Sequence, residues 1–214
     1  VDLELKQSAL LHIQKINEFI DSMINGLDFI KSDKLALKSF KLLNESMFLQ
    51  QKNFRGKPTL KFLSFDDDGK PTWEIPEKSV FHETPWYPFQ IAFLLSTIKS
   101  SVIDSDPDRE LVDLIWFPTG GGKTEAYLAL MSFVSFYRKL NDPLDTGVSV
   151  ITRYTYRLLT YQQFERTSSL ICAMEYIRRN NKELLGENEF SIGIWVGDAS
   201  LPNTRKSAFK VFDN

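Results

Sequence analysis

The sequence predicts an α/β fold: a parallel sheet flanked by helices, behind a mostly α-helical N-terminal segment. Three observations predict it. Short, apolar, β-prone runs at 111–115, 147–152 and 190–197 alternate with longer stretches of helical spacing. The first run leads into the glycine loop Pro118-Thr119-Gly120-Gly121-Gly122-Lys123-Thr124, and a helical stretch follows the loop directly. Ahead of all three runs, residues 3–27 and 32–51 carry apolar side chains near a 3.6-residue period. The change of pattern divides the chain into a helical segment with a small hairpin at 1–80 and the first part of a nucleotide-binding lobe at 81–214.

The first helix is expected over 3–27, with Leu5, Leu10, Leu11, Ile13, Ile16, Phe19, Ile20 and Met23 recurring and Gly26 as C-cap. The second is expected from about Ser32 to Gln51, with Leu35, Leu37, Phe40, Leu43 and Met47 facing inward. Leu60–Leu63 and Pro71–Ile75 flank Asp66-Asp67-Asp68-Gly69 and read as an irregular hairpin. The acidic triplet is no calcium loop. With Gly69 at the sixth loop position, Ile75 falls where the bidentate Glu must stand.

A third helix starts at Pro88, which suits a first helical turn. Asp104–Arg109 is a polar turn into the strand at Leu111–Ile115. Glu125 to Leu140 is a helix, broken by Asn141-Asp142-Pro143. Gly147–Thr152 is the next strand, and a strand–helix–strand unit of this length makes a right-handed crossover in a parallel sheet. A long helix follows over about 155–179, then a strand over Phe190–Gly197 and a short helix opening at 202–206.

Composition bounds the function. The 214 residues are 43% hydrophobic and 25% charged with a formal net charge of −2, so any nucleic-acid binding must come from a local basic patch. The single cysteine, Cys172, is expected as a small buried hydrophobe in a reducing compartment, which points to the cytoplasm. No apolar run reaches membrane-spanning length, so no membrane partner is expected. His12 and His82 lack ligand-like spacing. The chain begins at Val1, and it is read as a fragment.

The chemistry is concentrated at the loop. Glycines let successive N–H groups curl around a phosphate, and the helix N-terminus adds partial positive charge. Thr119, Gly120, Gly121, Gly122, Lys123 and Thr124 are therefore the candidate nucleotide-binding residues. Lys123 is suited to the β- and γ-phosphates of ATP and the Thr124 hydroxyl to Mg²⁺, which makes these two the candidate catalytic pair and Thr124 the metal ligand. Phe117 occupies the position six before Lys123, where the common motif has Gly; its side chain is expected to pack under the loop. An acid at Glu125 suits the first helical turn. Pro118–Thr124 resembles the phosphate loop of superfamily 2 helicases, and that resemblance implies that Gln90, thirty residues before Gly120, pairs with adenine N6 and N7. Ligands on open α/β sheets gather beyond the strand C-terminal ends. There Arg153, Thr155 and Arg157 offer a DNA phosphate contact. Gly197 ends the third strand where proteins with a resembling loop place glycines that help hold nucleic acid, so the resemblance implies a nucleic-acid contact there as well.

Several strings resemble one branch of the superfamily 2 helicases. They are Asn44-Glu45-Ser46-Met47 with Gln50, Pro88-Phe89-Gln90, Asp113 through Leu128, Arg153-Tyr154-Thr155 with Arg157-Leu158-Leu159-Thr160, Gln162-Gln163-Phe164, and Ile192–Gly197 leading to Pro202-Asn203-Thr204-Arg205. The branch is the helicase subunit of the DISARM bacterial anti-phage systems, and the similarity covers roughly residues 36–210. The resemblance implies a RecA-like lobe, incomplete here, and the N-terminal part of an ATP-dependent DNA helicase or translocase. It implies a DUF1998-type protein and a DNA methyltransferase as partners. The other reading is an ATP-gated or non-motor DNA-binding subunit that recruits partners. In either case the acidic Mg²⁺ box of such hydrolases is not present in the chain, which by itself is expected to hydrolyse nothing.

Overall fold

The computed structural model describes residues 3–55, 61–65, 71–74, 85–117, 120, 122–154, 157–195, 204–205 and 208–209. Their elements in order are α1 (Leu3–Ser32), α2 (Lys34–Arg55), β1 (Lys61–Phe65), β2 (Pro71–Glu74), α3 (Pro88–Val102), a 3-10 turn (Pro107–Glu110), α4 (Lys123–Asn141), α5 (Arg157–Arg179) and α6 (Lys182–Leu185). β1 and β2 form the expected hairpin, antiparallel, with Phe62 opposite Trp73 and an irregularity between Phe62 and Ser64.

The architecture is helical, and the predicted parallel sheet is not found among the described residues. The three runs expected as its strands carry no regular secondary structure in their described parts, and 111–117, 148–154 and 191–195 join no ladder. Alternation of apolar residues dictates an extended chain; a parallel strand also needs neighbours at ladder distance and cover on both faces. Neither is supplied. The stretches 145–154 and 189–195 line an open cavity of about 860 Å³ together with residues of α4 and α5. Leu111, Leu114, Trp116, Val148 and Ile151 lie exposed.

Helix α1 runs through Gly26 instead of stopping there. A Cβ at this position would stand 1.7 Å from the carbonyl oxygen of Leu95, so the glycine serves close approach of α3 and does not cap the helix. The break comes at Asp33, whose Oδ1 accepts from the Ala36 N–H at 2.8 Å and so caps α2. Of the residues expected inward on α2, Leu43 and Met47 are buried, Leu35 and Phe40 pack partly buried against the core, and Leu37 is exposed.

Helix α4 is the centre. It packs on α2, α3, α5 and α6, and Leu128, Ala129, Phe133 and Phe136 are buried along its length. Small polar residues let the helices close up: Ser46 of α2 and Ser132 of α4 are both buried with their hydroxyls 2.8 Å apart. Cys172 lies on the exposed side of α5, contrary to the expectation of burial. No helix among the described residues is long and apolar enough to cross a membrane.

Candidate nucleotide site

The site is built where α3 and α4 begin. Gly120 and Gly122 adopt the left-handed conformation, at φ of 81° and 86°, and Gly122 is the N-cap residue of α4. At Gly120 a Cβ would meet nothing within 4 Å, so the loop faces open space there. Lys123 is the first residue of α4, and Thr124 and Glu125 complete its first turn with the helix's partial positive charge behind them. The Lys123 ammonium donates to the carbonyl of Phe117, six residues back. Thr119 and Gly121 lie outside the described residues.

Gln90 is joined to this loop. It stands at the third position of α3 and is buried. Its Oε1 accepts from the Tyr87 N–H at 2.9 Å, half of a capping box. Its Nε2 donates to the Gly122 carbonyl at 2.8 Å. One side chain thus ties the start of α3 to the start of α4. The Phe117 ring packs on Phe89, centroids 4.2 Å apart, and Phe89 in turn stacks on Tyr87 at 6.2 Å. Phe117 is therefore packed against α3 and stays 44% exposed, whereas it was expected to pack under the loop.

The second candidate region lies beside the first. Arg153 is exposed on the wall of the cavity. Burial, and then the neighbouring Tyr127, push the Tyr154 hydroxyl above its ordinary pKa, with Arg166 opposing. Arg166 of α5 also forms an ion pair with Glu125 in the first turn of α4. Glu125 thus has a structural partner besides the helix dipole. Arg157 opens α5; Thr155 and Gly197 lie outside the described residues. So Gln90, Gly122, Lys123 and Phe117 are brought into one constellation, with the Arg153–Tyr154 stretch adjoining it through Arg166.

Sequence reasoning missed Tyr87, Phe89 and Arg166. Pro88 did signal a helix start, but not that the Tyr87 ring before it would lie against the loop. The Arg166–Glu125 pair spans 41 residues and has no local signal.

A second charged cluster lies at the far end of α5. Arg178 grips Glu175 through Nε and Nη2 at 2.8 and 2.6 Å, and donates from Nη1 to the Gly186 carbonyl at 2.7 Å. The Arg178 guanidinium, with help from Arg179 and the Phe190 N–H, holds the Glu175 carboxyl down at a pKa of about 2. Burial lowers the Lys139 ammonium, whose Nζ donates to the Asp145 carbonyl at 2.6 Å. These contacts anchor the loops that follow α4 and α6.

No family model and no solved structure matches the chain. Among proteins of known identity, the DISARM protein DrmA of Bacillus paralicheniformis (strain ATCC 9945a / NCIMB 11709 / CD-2) is 48% identical over 168 residues. The match takes in 76% of this chain and 14% of that protein. At that identity the chain is a homologue of the DISARM protein DrmA, corresponding to a small part of its length.

Proposed function

We propose that this chain is the nucleotide-binding part of an ATP-dependent DNA helicase or translocase of a bacterial anti-phage defence system. The observation that carries the reading is the pair of left-handed glycines running straight into α4 at Lys123. A triphosphate laid against Gly120–Thr124 would meet backbone N–H groups, the helix N-terminus and the Lys123 ammonium together. The residues present fit ATP and Mg²⁺: the loop is open at Gly120, and the Thr124 hydroxyl stands in the first helical turn. The ion, when bound, would neutralise charge on the phosphates. Lys123 must leave the Phe117 carbonyl to reach them, which exchanges a neutral acceptor for a charged phosphate oxygen. Arg153 and Arg157 would then contact a DNA backbone beside the loop. Homology to a DISARM protein supports the defence setting, and a DUF1998-type protein and a DNA methyltransferase would be the partners.

The test is ATP turnover by the whole protein, with and without DNA. Lys123→Ala is expected to abolish DNA-stimulated turnover and leave the unfolding midpoint unchanged. Turnover at the wild-type rate would overturn the assignment. In the same protein, Arg153→Ala with Arg157→Ala is expected to weaken DNA binding and flatten its dependence on salt, because an interface that neutralises fewer phosphates releases fewer counterions. An unchanged salt slope would remove these arginines from the interface.

A further inference from the structure

We infer that Gln90 is a strut for the phosphate loop and reads no base, so that the site selects a triphosphate and accepts purines alike. The inference rests on the nucleotide site proposed above. A bidentate pairing with adenine uses one amide hydrogen and one carbonyl lone pair of a Gln, presented in one accessible plane. Gln90 is only 4% exposed. Its oxygen accepts from the Tyr87 N–H and its nitrogen donates to the Gly122 carbonyl, and the burial shuts the remaining lone pair and N–H hydrogen off from a base. Turning the amide to a base would uncap α3 and release Gly122 together. The packing is tight as well: a Cβ at Gly122 would come within 2.8 Å of Gln90 Nε2.

What the site offers a base is an aromatic surface. Tyr87 is 52% exposed, and it is the outer ring of a stack continued by Phe89 and Phe117. Its ring carbons lie 3.5 and 3.6 Å from the Cβ position of Gly122, so the ring stands at the loop itself. Stacking is tolerant of base identity, since every base has a π-face. Gln90 thus acts through Gly122, as a positioning residue, and Tyr87 is the side chain that meets the base.

The experiment measures affinities of the full chain for ATP, GTP, ITP and inorganic tripolyphosphate by calorimetry, for the wild type, Gln90→Glu, Tyr87→Ala and Lys123→Ala. Glu at 90 keeps the acceptor for the Tyr87 N–H but has no hydrogen to donate to Gly122. The wild type is expected to bind the three nucleotides within about three-fold of one another. Gln90→Glu is expected to weaken tripolyphosphate and all three nucleotides by one common factor of about ten, the scale of one lost hydrogen bond. Tyr87→Ala is expected to weaken the nucleotides about ten-fold and spare tripolyphosphate. A wild type that prefers ATP over GTP and ITP by ten-fold or more, with the preference erased by Gln90→Glu and tripolyphosphate untouched, overturns the inference and leaves the phosphate site standing. Tripolyphosphate binding that is absent, or that Lys123→Ala does not reduce, overturns the phosphate site and the inference with it.

Discussion

The helices around α4 and the irregular stretches beside them are comparably rich in apolar residues, yet they differ in burial. Phe133 and Phe136 on α4 have no exposed surface. Val112 and Trp195, on stretches expected as strands, are each 94% exposed. The difference lies in where the backbone finds its hydrogen bonds. A helix satisfies its own N–H and C=O groups and needs only one apolar stripe covered. An extended chain must borrow partners from another chain segment before its side chains can be buried. Four helices packed on α4 meet the first requirement with residues close at hand. The stretches 145–154 and 189–195, expected as strands over much of their length, meet the second poorly, because a cavity of about 860 Å³ lies along them.

This comparison can be broken by substitution. The largest effect is expected at Phe136, whose ring also meets Phe190 edge-on at 5.3 Å. Phe136→Ala should cost about 3–5 kcal/mol in denaturant unfolding. Trp195→Ser or Val112→Ser should change stability by less than about 0.5 kcal/mol. A Trp195 variant as damaging as the Phe136 variant would mean that the irregular stretches are packed after all.

Glu175 joins the two regions, since it accepts from Arg178 on its own helix and from the Phe190 N–H at 3.1 Å at the start of an irregular stretch. Its folded-state pKa of about 2 lies below the ordinary value of 4.5, so its ionised form stabilises the fold. That contribution is complete above pH 4.5 and is lost as pH falls toward 2. Glu175→Gln should cost about 3 kcal/mol at neutral pH, because it strands the buried Arg178 charge. It should also flatten the acid limb of the stability–pH curve; an unchanged limb would remove Glu175 as its cause.

Within the core, a smaller change than at Phe136 or Glu175 is expected at Ser132. Ser132→Ala removes one side of the Ser46–Ser132 pair, but the Ser46 hydroxyl keeps its bond to the Leu43 carbonyl at 2.8 Å. The expected cost is about 1 kcal/mol. A cost approaching that of Phe136→Ala would show that the pair sets the register of α2 on α4.

Much of this fold is legible residue by residue. Pro88 marked the start of α3, Asn141-Asp142-Pro143 the end of α4, and the acidic turn between two β-prone runs the β1–β2 hairpin. Each depends on chemistry within a few residues: a fixed φ, a missing N–H, a period of two. Gly26 misled because glycine serves both a helix end and a close crossing, and the deciding atom, the Leu95 carbonyl, is far away in sequence. The candidate site divides in the same way. The loop glycines and Lys123 are named by their order, whereas the joining of Gln90 to Gly122 and of Arg166 to Glu125 depends on partners 32 and 41 residues away.

The sequence by itself determined which stretches coil, which extend and where a phosphate-type loop meets a helix, because propensity, periodicity and glycine's freedom at positive φ act locally. Only the tertiary structure decided that helices pack on helices around α4, that the described parts of the strand-like runs join no sheet, and that the Gln90 amide is engaged by the protein's own backbone. Ladder pairing, burial and the occupation of a side chain's donors depend on which atoms arrive from elsewhere in the chain.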